Sequence, residues 1–382
     1  MIYFDNAATS FPKPPSVSEA MTRFMSTVGA NPGRSGHRLS VEAARIVYDA
    51  REKIAQLFNA VDPMRIAFTA NATEALNLAL FGLLRPGDHV ITSGMEHNSV
   101  MRPLRALEKG GVRLTFVPCA PRGFVDPDDV RKSLKYTTSL VVLNHGSNVN
   151  GCLQPLREIG KLARDAGALF LVDSAQTAGC ARLDMQADCI DLLAFTGHKA
   201  LYGPQGTGGL VLGDRIDAAA ITPLKYGGTG SRSEYEIQPD FLPDRFESGT
   251  LNTVGIAGLA AGIEFVMGHG VETIREKDVA LADALIRGLE EIPGVCVYSS
   301  GLLERQLSTV SFTIDAIPPA EAGRMLDENF GILCRIGLHC SPAAHATIGT
   351  FPDGTIRFSP GYFSRMDDVS YALGAIRELA AI

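Results

Sequence analysis

Residues 191–210 have the sequence Asp-Leu-Leu-Ala-Phe-Thr-Gly-His-Lys-Ala-Leu-Tyr-Gly-Pro-Gln-Gly-Thr-Gly-Gly-Leu. An apolar run ends at Thr196, and Lys199 follows just before a group of glycines and a proline. This composition predicts a strand that stops at a tight, closely packed turn carrying Lys199. A lysine that is desolvated in such a turn has a lowered pKa, and its neutral amine can form a Schiff base with an aldehyde. The alternative is an ordinary solvated surface lysine.

The composition limits the class of protein. The chain has 382 residues, of which 46% are hydrophobic and 20% are charged, as expected for one large α/β domain plus a smaller one. A formal net charge of -7 disfavours binding to nucleic acid or to an anionic membrane. No apolar run approaches the ~20 residues that span a bilayer, and the N-terminus does not resemble a signal peptide. We therefore expect a cytoplasmic protein that binds small molecules or other proteins.

The cysteines predict neither a disulfide framework nor a metal site. Their number is seven, and no pair has the Cys-x-x-Cys spacing of a zinc site. Most lie in or beside apolar runs, where a cysteine is usually a small buried hydrophobe: Cys119, Cys180, Cys189, Cys296 and Cys334. Cys152 opens a turn, and Cys340 is predicted to lie on a loop near Arg335 and His339, cationic neighbours that favour a thiolate.

Apolar segments of strand length alternate with an amphipathic segment of helix length. Residues 139–143 and 168–172 are predicted strands, and residues 156–166 between them have helical spacing of their apolar positions. A strand, a helix and a strand in this order form a crossover unit between parallel strands. Because the strands are apolar at nearly every position, both faces of the sheet should be buried. The sequence therefore predicts an α/β fold with a mostly parallel, doubly wound sheet and a smaller α/β region beyond it.

Polar residues follow the predicted strands or begin the predicted helices, and open α/β sheets bind ligands at this edge. Pyridoxal 5′-phosphate (PLP) needs an amine, an anion beside its ring nitrogen and donors for its phosphate. Lys199 and Asp173 could supply the first two. Simpler roles are a helix cap for Thr73, a surface position for His97, and an arginine pair or a backbone cap for Asp173. The residues that converge on this edge are Thr73, His97, Asn148, Asp173, Gln176, Thr196, His198 and Lys199.

Motifs in a fixed order support this interpretation. Together they resemble the class V aminotransferase group of fold type I PLP enzymes, and within it the cysteine desulfurase and selenocysteine lyase family. The resemblance covers essentially the whole chain. Its motifs are Ala72-Thr-Glu-Ala, Glu96-His-Asn, His145-Gly-Ser-Asn-Val, Val172-Asp-Ser-Ala-Gln, Phe195-Thr-Gly-His-Lys, Phe246-Glu-Ser-Gly-Thr250 and Arg335-Ile-Gly-Leu-His-Cys340.

The resemblance implies a role for each matching residue around the cofactor. Lys199 would form the Schiff base with PLP, Asp173 would pair with the pyridine nitrogen, and Gln176 would bond the ring hydroxyl. His97 would stack on the ring, and Asn148 would lie beside it. The cofactor's phosphate would be held at the motifs that contain Ala72, Thr73, Thr196, His198 and, from the neighbouring subunit of a homodimer, Thr250.

The resemblance also implies a reaction. The protein would be a PLP-dependent cysteine desulfurase that converts L-cysteine to L-alanine and leaves the sulfur on Cys340 as a persulfide. An acceptor protein would then take the sulfur, for example for iron-sulfur cluster assembly. Lys199 would also be the general base at the substrate α-carbon. Arg357 would hold the substrate carboxylate, with Asn148 and Arg34 as further substrate-binding residues.

Alternatives stay open from the sequence. Arg357 could instead form a surface ion pair, and Cys340 could be an idle loop cysteine. The enzyme could be a selenocysteine lyase, another amino-acid β-lyase or an aminotransferase, and a PLP-bound scaffold without turnover is a further option. Leu338 departs from the histidine of many desulfurases. The resemblance assigns residues 16–262 to a large PLP-binding domain, and residues 1–15 and 263–382 to a small domain with the cysteine loop.

Overall fold

The computed structural model describes residues 1–33 and 35–382. Its strands fall into a large central sheet, a small sheet near the C-terminus and one short pair. The strands are β1 Ile2–Tyr3, β2 Ile66–Thr69, β3 His89–Ser93, β4 Arg113–Val117, β5 Thr138–Asn144, β6 Leu169–Asp173, β7 Leu192–Thr196, β8 Gly208–Leu212, β9 Val295–Tyr298, β10 Val310–Ile314, β11 Ile332–Leu333, β12 Arg335–Gly337 and β13 Thr355–Phe358.

The helices connect these strands and cover the sheets. They are α1 Pro15–Arg23, α2 Arg38–Phe58, α3 Ala72–Leu83, α4 Asn98–Lys109, α5 Pro127–Ser133, α6 Leu156–Asp165, α7 Thr253–His269, α8 Val271–Glu290, α9 Pro319–Phe330, α10 Pro342–Ile348 and α11 Met366–Ala380. In the described part of the chain, no single helix is long and apolar enough to cross a membrane. Among the described residues, α7 and α8 have the length and composition of a membrane span when the two are taken together, but this pair is bent by 81°.

The central sheet has the strand order β2-β8-β7-β6-β5-β3-β4. Strand β8 runs antiparallel to both of its neighbours, β2 and β7, and the other pairs in the sheet are parallel, so the predicted mostly parallel sheet is confirmed. Successive residues of one strand point to opposite faces, and in β5 Val141 belongs to one hydrophobic core while Val142 belongs to another. Helices α2, α6 and α7 cover the first face, and α3 and α4 cover the second. The sheet is therefore doubly wound because both of its faces are apolar.

A third hydrophobic core lies around the small antiparallel sheet, whose strand order is β12-β13-β10-β9. Helices α8, α9 and α11 contribute to this core. The N-terminal segment joins it, because Ile2 of β1 pairs with Ile332 of β11 and Phe4 is fully buried there. The predicted division at residue 262 stays a prediction, and α7 runs through that position.

Candidate active site

The carboxyl ends of neighbouring strands meet at one edge of the central sheet. Asp173 is the last residue of β6, Thr196 is the last residue of β7, and Lys199 lies in the turn that follows. A cavity of about 240 Å³ opens at this edge. The residues that line it are Asn71, Ala72, Thr73, His97, Ser99, Asn144, Gly146, Asn148, Asp173, Ala175, Gln176, Thr196, His198 and Lys199.

The structure thus brings together around one cavity most of the residues that the sequence predicts for the cofactor. Thr250 is the exception, since it is exposed and lines a different cavity beside Glu74 and Lys225. Arg34 lies outside the described residues. The lining residues not predicted from sequence are Asn71, Ser99, Asn144, Gly146 and Ala175. Their one sequence signal is that they flank or fall within the quoted motifs and strand ends.

A glycine allows the start of α3 to reach the lysine turn. Gly208 is paired with Thr69 on one side and with Thr196 on the other. A Cβ atom at Gly208 would lie 2.7 Å from the Cα of Asn71 and 2.7 Å from the carbonyl oxygen of Phe195. Only glycine fits between these two backbones. The glycines after Lys199 therefore serve a close backbone approach that places the N-terminus of α3 at the cavity.

Lys199 has the electrostatic environment expected of an amine that reacts with an aldehyde. Burial lowers its pKa to about 8, and the nearby guanidinium groups of Arg357 and Arg335 act in the same direction. The carboxylate of Asp173 acts against them. The alternative of an ordinary solvated lysine therefore does not apply. A fraction of the amine is neutral at physiological pH, whereas an exposed lysine is almost fully protonated.

Asp173 is a buried carboxyl group with few partners. Its Oδ1 accepts a hydrogen bond from the N–H of Ala175 at 2.9 Å, and among the described residues it forms no ion pair with an arginine. Burial raises its pKa, and Lys199 partly offsets this effect. A buried carboxylate is costly unless a cation faces it. The site therefore fits a ligand with a positive charge next to Asp173.

His97 is held by a chain of hydrogen bonds that the sequence did not reveal. The hydroxyl of Thr73 lies 2.7 Å from the hydroxyl of Ser99, which lies 2.8 Å from Nδ1 of His97. The Nδ1 atom also accepts from the N–H of Ser99 at 3.1 Å, so a proton on the neutral ring belongs on Nε2. Burial and nearby cations, first Lys199, lower the pKa of His97 to about 4. The ring is therefore fixed in orientation and uncharged.

Asn71, and not Thr73, caps helix α3. The Oδ1 atom of Asn71 accepts from the N–H of Glu74 at 3.0 Å, whereas the Thr73 hydroxyl contacts Ser99. The alternative of a plain cap for Thr73 is therefore wrong. The physical reason is that the preceding asparagine adopts the extended backbone of a cap residue, which leaves Thr73 inside the first turn.

Unpartnered polar atoms in the cavity wall match the groups of PLP. Ten buried side-chain atoms of the described residues have no hydrogen-bond partner, and three of them belong to residues of the cavity wall: Oγ1 of Thr196, Nδ1 of His198 and Oδ1 of Asn144. Buried polar groups in folded proteins are nearly always paired, so these atoms indicate a ligand or ordered water. With the N-terminus of α3 they suit a phosphate and a polar ring. Together with Lys199 and Asp173, they provide the donors, amine and anion that PLP requires.

Cys340 lies on the loop between β12 and α10 and is exposed. Nη2 of Arg335 donates to its Sγ at 3.5 Å. The expectation of a loop cysteine with a cationic neighbour is met by Arg335 but is wrong for His339, since burial lowers the pKa of that histidine and leaves its ring uncharged. The role of Cys340 as a sulfur acceptor stays a prediction. Two other expectations about cysteines are wrong. Cys296 is exposed because it lies on the edge strand β9 and points away from the core against which Val295 and Val297 pack, and Cys152 follows a turn instead of opening one.

Arg357 is fully buried, so a surface ion pair is excluded. Its Nη2 donates to Oδ1 of Asp5 at 2.7 Å, and its Nη1 donates to the carbonyl oxygen of Asn148 at 2.9 Å. Burial lowers the pKa of Arg357 to about 10, and Asp5 opposes this shift. Arg335 is its direct partner in the pairing of β12 and β13. Two cations, Arg335 and Arg357, thus lie side by side near Lys199. Asp5 is a neighbour of Arg357 that was not predicted from the sequence.

The fold and this site define a PLP-dependent enzyme of fold type I. The family "Aminotransferase class-V" matches residues 2–371. A protein named probable cysteine desulfurase, from Methanothermobacter thermautotrophicus, is 35% identical over 100% of this chain and 95% of its own length. The chain therefore belongs to the class V aminotransferase family. Because this family consists of enzymes, the alternative of a scaffold without turnover is not supported.

Solved structures agree with this assignment. The apo structure of the cysteine desulfurase from Thermococcus onnurineus NA1 is similar with a TM-score of 0.93 and 34% identity, over 100% of this chain and 94% of that one. The cysteine desulfurase CsdA from Escherichia coli, solved as an S-sulfonic acid, is similar with a TM-score of 0.87 and 29% identity, over 99% of this chain and 94% of that one.

Proposed function

We propose that this protein is a PLP-dependent cysteine desulfurase that transfers sulfur from L-cysteine to Cys340. One observation carries the proposal. Cys340 is exposed with a guanidinium at its sulfur, and its loop is hydrogen-bonded to Asn148, which lines the lysine cavity, and to Asn98, which follows His97 of the cavity wall. We propose that this exposed thiol takes sulfur from a substrate in the cavity and presents it to a second protein. The test is whether sulfur from L-cysteine is found on Cys340.

The chain's own residues suit the proton and sulfur transfers of this reaction. PLP, when bound, supplies an electron sink for the bonds at the substrate α-carbon. Lys199, with a pKa of about 8, is suited to accept the α-proton near neutral pH. The Cys340 thiolate attacks the substrate sulfur, so an S–S bond forms and the Cβ–S bond breaks. The electron pair of the broken Cβ–S bond remains with the substrate Cβ, which is protonated so that the product is alanine. Cys340 keeps the sulfur as a persulfide.

Arg357 is proposed to bind the substrate carboxylate with N–H groups that Asp5 and Asn148 leave free. We expect Arg357→Ala to raise KM for L-cysteine roughly 10- to 150-fold, because a charge-assisted hydrogen bond contributes about 1.5 to 3 kcal/mol. Cofactor absorbance should stay unchanged. Arg324→Ala, which removes an exposed ion pair with Glu328, is the control and should leave KM as it is. Lost cofactor with unchanged KM would assign Arg357 a purely structural role.

We also propose a homodimer in which Thr250 of the partner subunit completes the phosphate site. Thr250 is exposed and separate from the lysine cavity of its own chain, which supports this arrangement. Light scattering should therefore give a mass of twice 40.7 kDa. A 40.7 kDa particle with full activity would contradict the proposal. A cytoplasmic location and delivery of sulfur to an acceptor protein, as in iron-sulfur cluster assembly, complete the proposed role.

A further inference from the structure

The backbone around Cys340 has an unfavourable conformation. His339 has φ +50° and Cys340 has φ +59°, so two consecutive residues lie in the left-handed region. Residues with a Cβ atom seldom adopt this region, because the Cβ approaches the neighbouring carbonyl. Such a conformation persists only where the surroundings hold it. The contacts that hold this loop therefore bear on where the sulfur of Cys340 lies.

Hydrogen bonds from one asparagine enclose Cys340 on both sides. Nδ2 of Asn148 donates to the carbonyl oxygen of His339 at 2.7 Å, and Oδ1 of Asn148 accepts from the hydroxyl of Ser341 at 2.8 Å. All three residues are buried, and Ser341 is 0% exposed. In addition, the N–H of Asn98 donates to the carbonyl oxygen of Cys340 at 2.9 Å. Residues 339 and 341 are thus bound to Asn148 of the cavity wall, and residue 340 is bound to Asn98, which follows His97 of that wall.

The geometry points to Asn148 and Ser341 as positioning residues for sulfur transfer. We name the Asn148, His339 and Ser341 contacts the Asn148 clamp. Asn148 itself lines the cavity of Lys199, and its carbonyl oxygen accepts from Arg357. The clamp therefore connects the loop of the sulfur acceptor to the residue proposed to hold the substrate carboxylate. Because the side-chain amide of Asn148 is engaged at both ends by the loop, positioning Cys340 is a role distinct from its predicted contact with substrate.

This inference rests on the proposed function, since it concerns the step in which Cys340 receives sulfur. Reactions between two bound groups are sensitive to position, and a displacement of about 1 Å can slow them roughly 100-fold. Removal of the Ser341 hydroxyl leaves Oδ1 of Asn148 without this donor and frees one side of the loop. Ser341 itself does not line the cofactor cavity, so its substitution removes no atom from the cavity wall.

The test uses the holoenzyme with Ser341→Ala. We expect kcat for alanine formation and the single-turnover rate of persulfide formation on Cys340 to fall about 10-fold. KM for L-cysteine should change less than about twofold, and cofactor absorbance should not change. Amide hydrogen exchange in residues 338–341 should become faster in the protein with and without cofactor. Ser341→Thr, which keeps the hydroxyl, should restore most of the rate.

Ser370→Ala is the matched control, because its hydroxyl bonds only within the exposed surface of α11 at the backbone of Met366. Equal persulfide rates in Ser341→Ala and Ser370→Ala would overturn the inference. It would also be overturned by a loss of cofactor, or by a rise in KM as large as the fall in kcat. If the unmodified protein forms a persulfide on Cys340 but Ser341→Ala transfers normally, only the inference fails. If sulfur never reaches Cys340, the proposed function fails first.

Discussion

Cys340→Ser is expected to bind PLP and L-cysteine normally and to lose alanine production from L-cysteine about 10³-fold, which corresponds to about 4 kcal/mol in the barrier. Sulfur leaves the substrate only when a thiolate accepts it, and a serine hydroxyl cannot form the S–S bond. In Cys340→Ser, the guanidinium of Arg335 would lose the Sγ atom to which it donates at 3.5 Å in the unmodified protein. Alanine release measures the expected loss of turnover, and cofactor absorbance measures whether PLP and L-cysteine still bind.

Selenocysteine distinguishes the desulfurase from a selenocysteine lyase. Selenium is the better leaving group, so Cys340→Ser should keep part of its activity on selenocysteine. Mass spectrometry after brief exposure to L-cysteine should find the added sulfur on the Cys340 peptide. Cys296→Ser, which removes the other exposed cysteine, is the control and should keep full activity. Full cysteine turnover by Cys340→Ser, or a persulfide only on Cys152 or Cys334, would contradict the assignment.

Lys199→Ala is expected to abolish both covalent attachment of the cofactor and turnover. In the unmodified protein, borohydride reduction should fix PLP to Lys199, because this amine lies in the cavity beside Asp173. The informative control is Lys13→Ala. Burial also lowers the pKa of Lys13 to about 8, and its Nζ lies 3.2 Å from the carbonyl oxygen of His198, but it does not line the cavity. Trapping of PLP on Lys13 would show that the site is wrongly assigned.

The pH dependence of cofactor incorporation tests the environment of Lys199. Burial lowers its pKa from 10.5 to about 8, and only the neutral amine attacks an aldehyde. The amine is protonated below its pKa, so incorporation of PLP into the protein without cofactor should rise as pH increases through 8 and then level off. A rate that keeps rising to pH 10 would show a solvated amine, contrary to the buried turn.

Several features follow from the sequence alone, because they depend on residues close together in the chain. The turn with Lys199 is predicted by an apolar strand followed by glycines and a proline. The doubly wound sheet follows from strands such as β5, in which adjacent residues are all apolar. Asp173 and Thr196 reach the same edge since parallel strands end on the same side. Local pattern and strand direction were therefore sufficient to predict the edge of the sheet at which the cavity lies and most of the residues that line it.

Other features depend on contacts between distant parts of the chain, which no local pattern encodes. Asp5 meets Arg357 only because the N-terminal segment is added to the small sheet region, and no pattern in the sequence pairs these two residues. Asn148 meets Ser341 because the loops after β5 and β12 pack together in three dimensions. The exposure of Cys296 depends on its strand being at a sheet edge. The sequence by itself determined most of the chemical groups that line the cavity, whereas tertiary packing determined which partners hold the arginine and the cysteine, since those contacts join segments brought together only by folding.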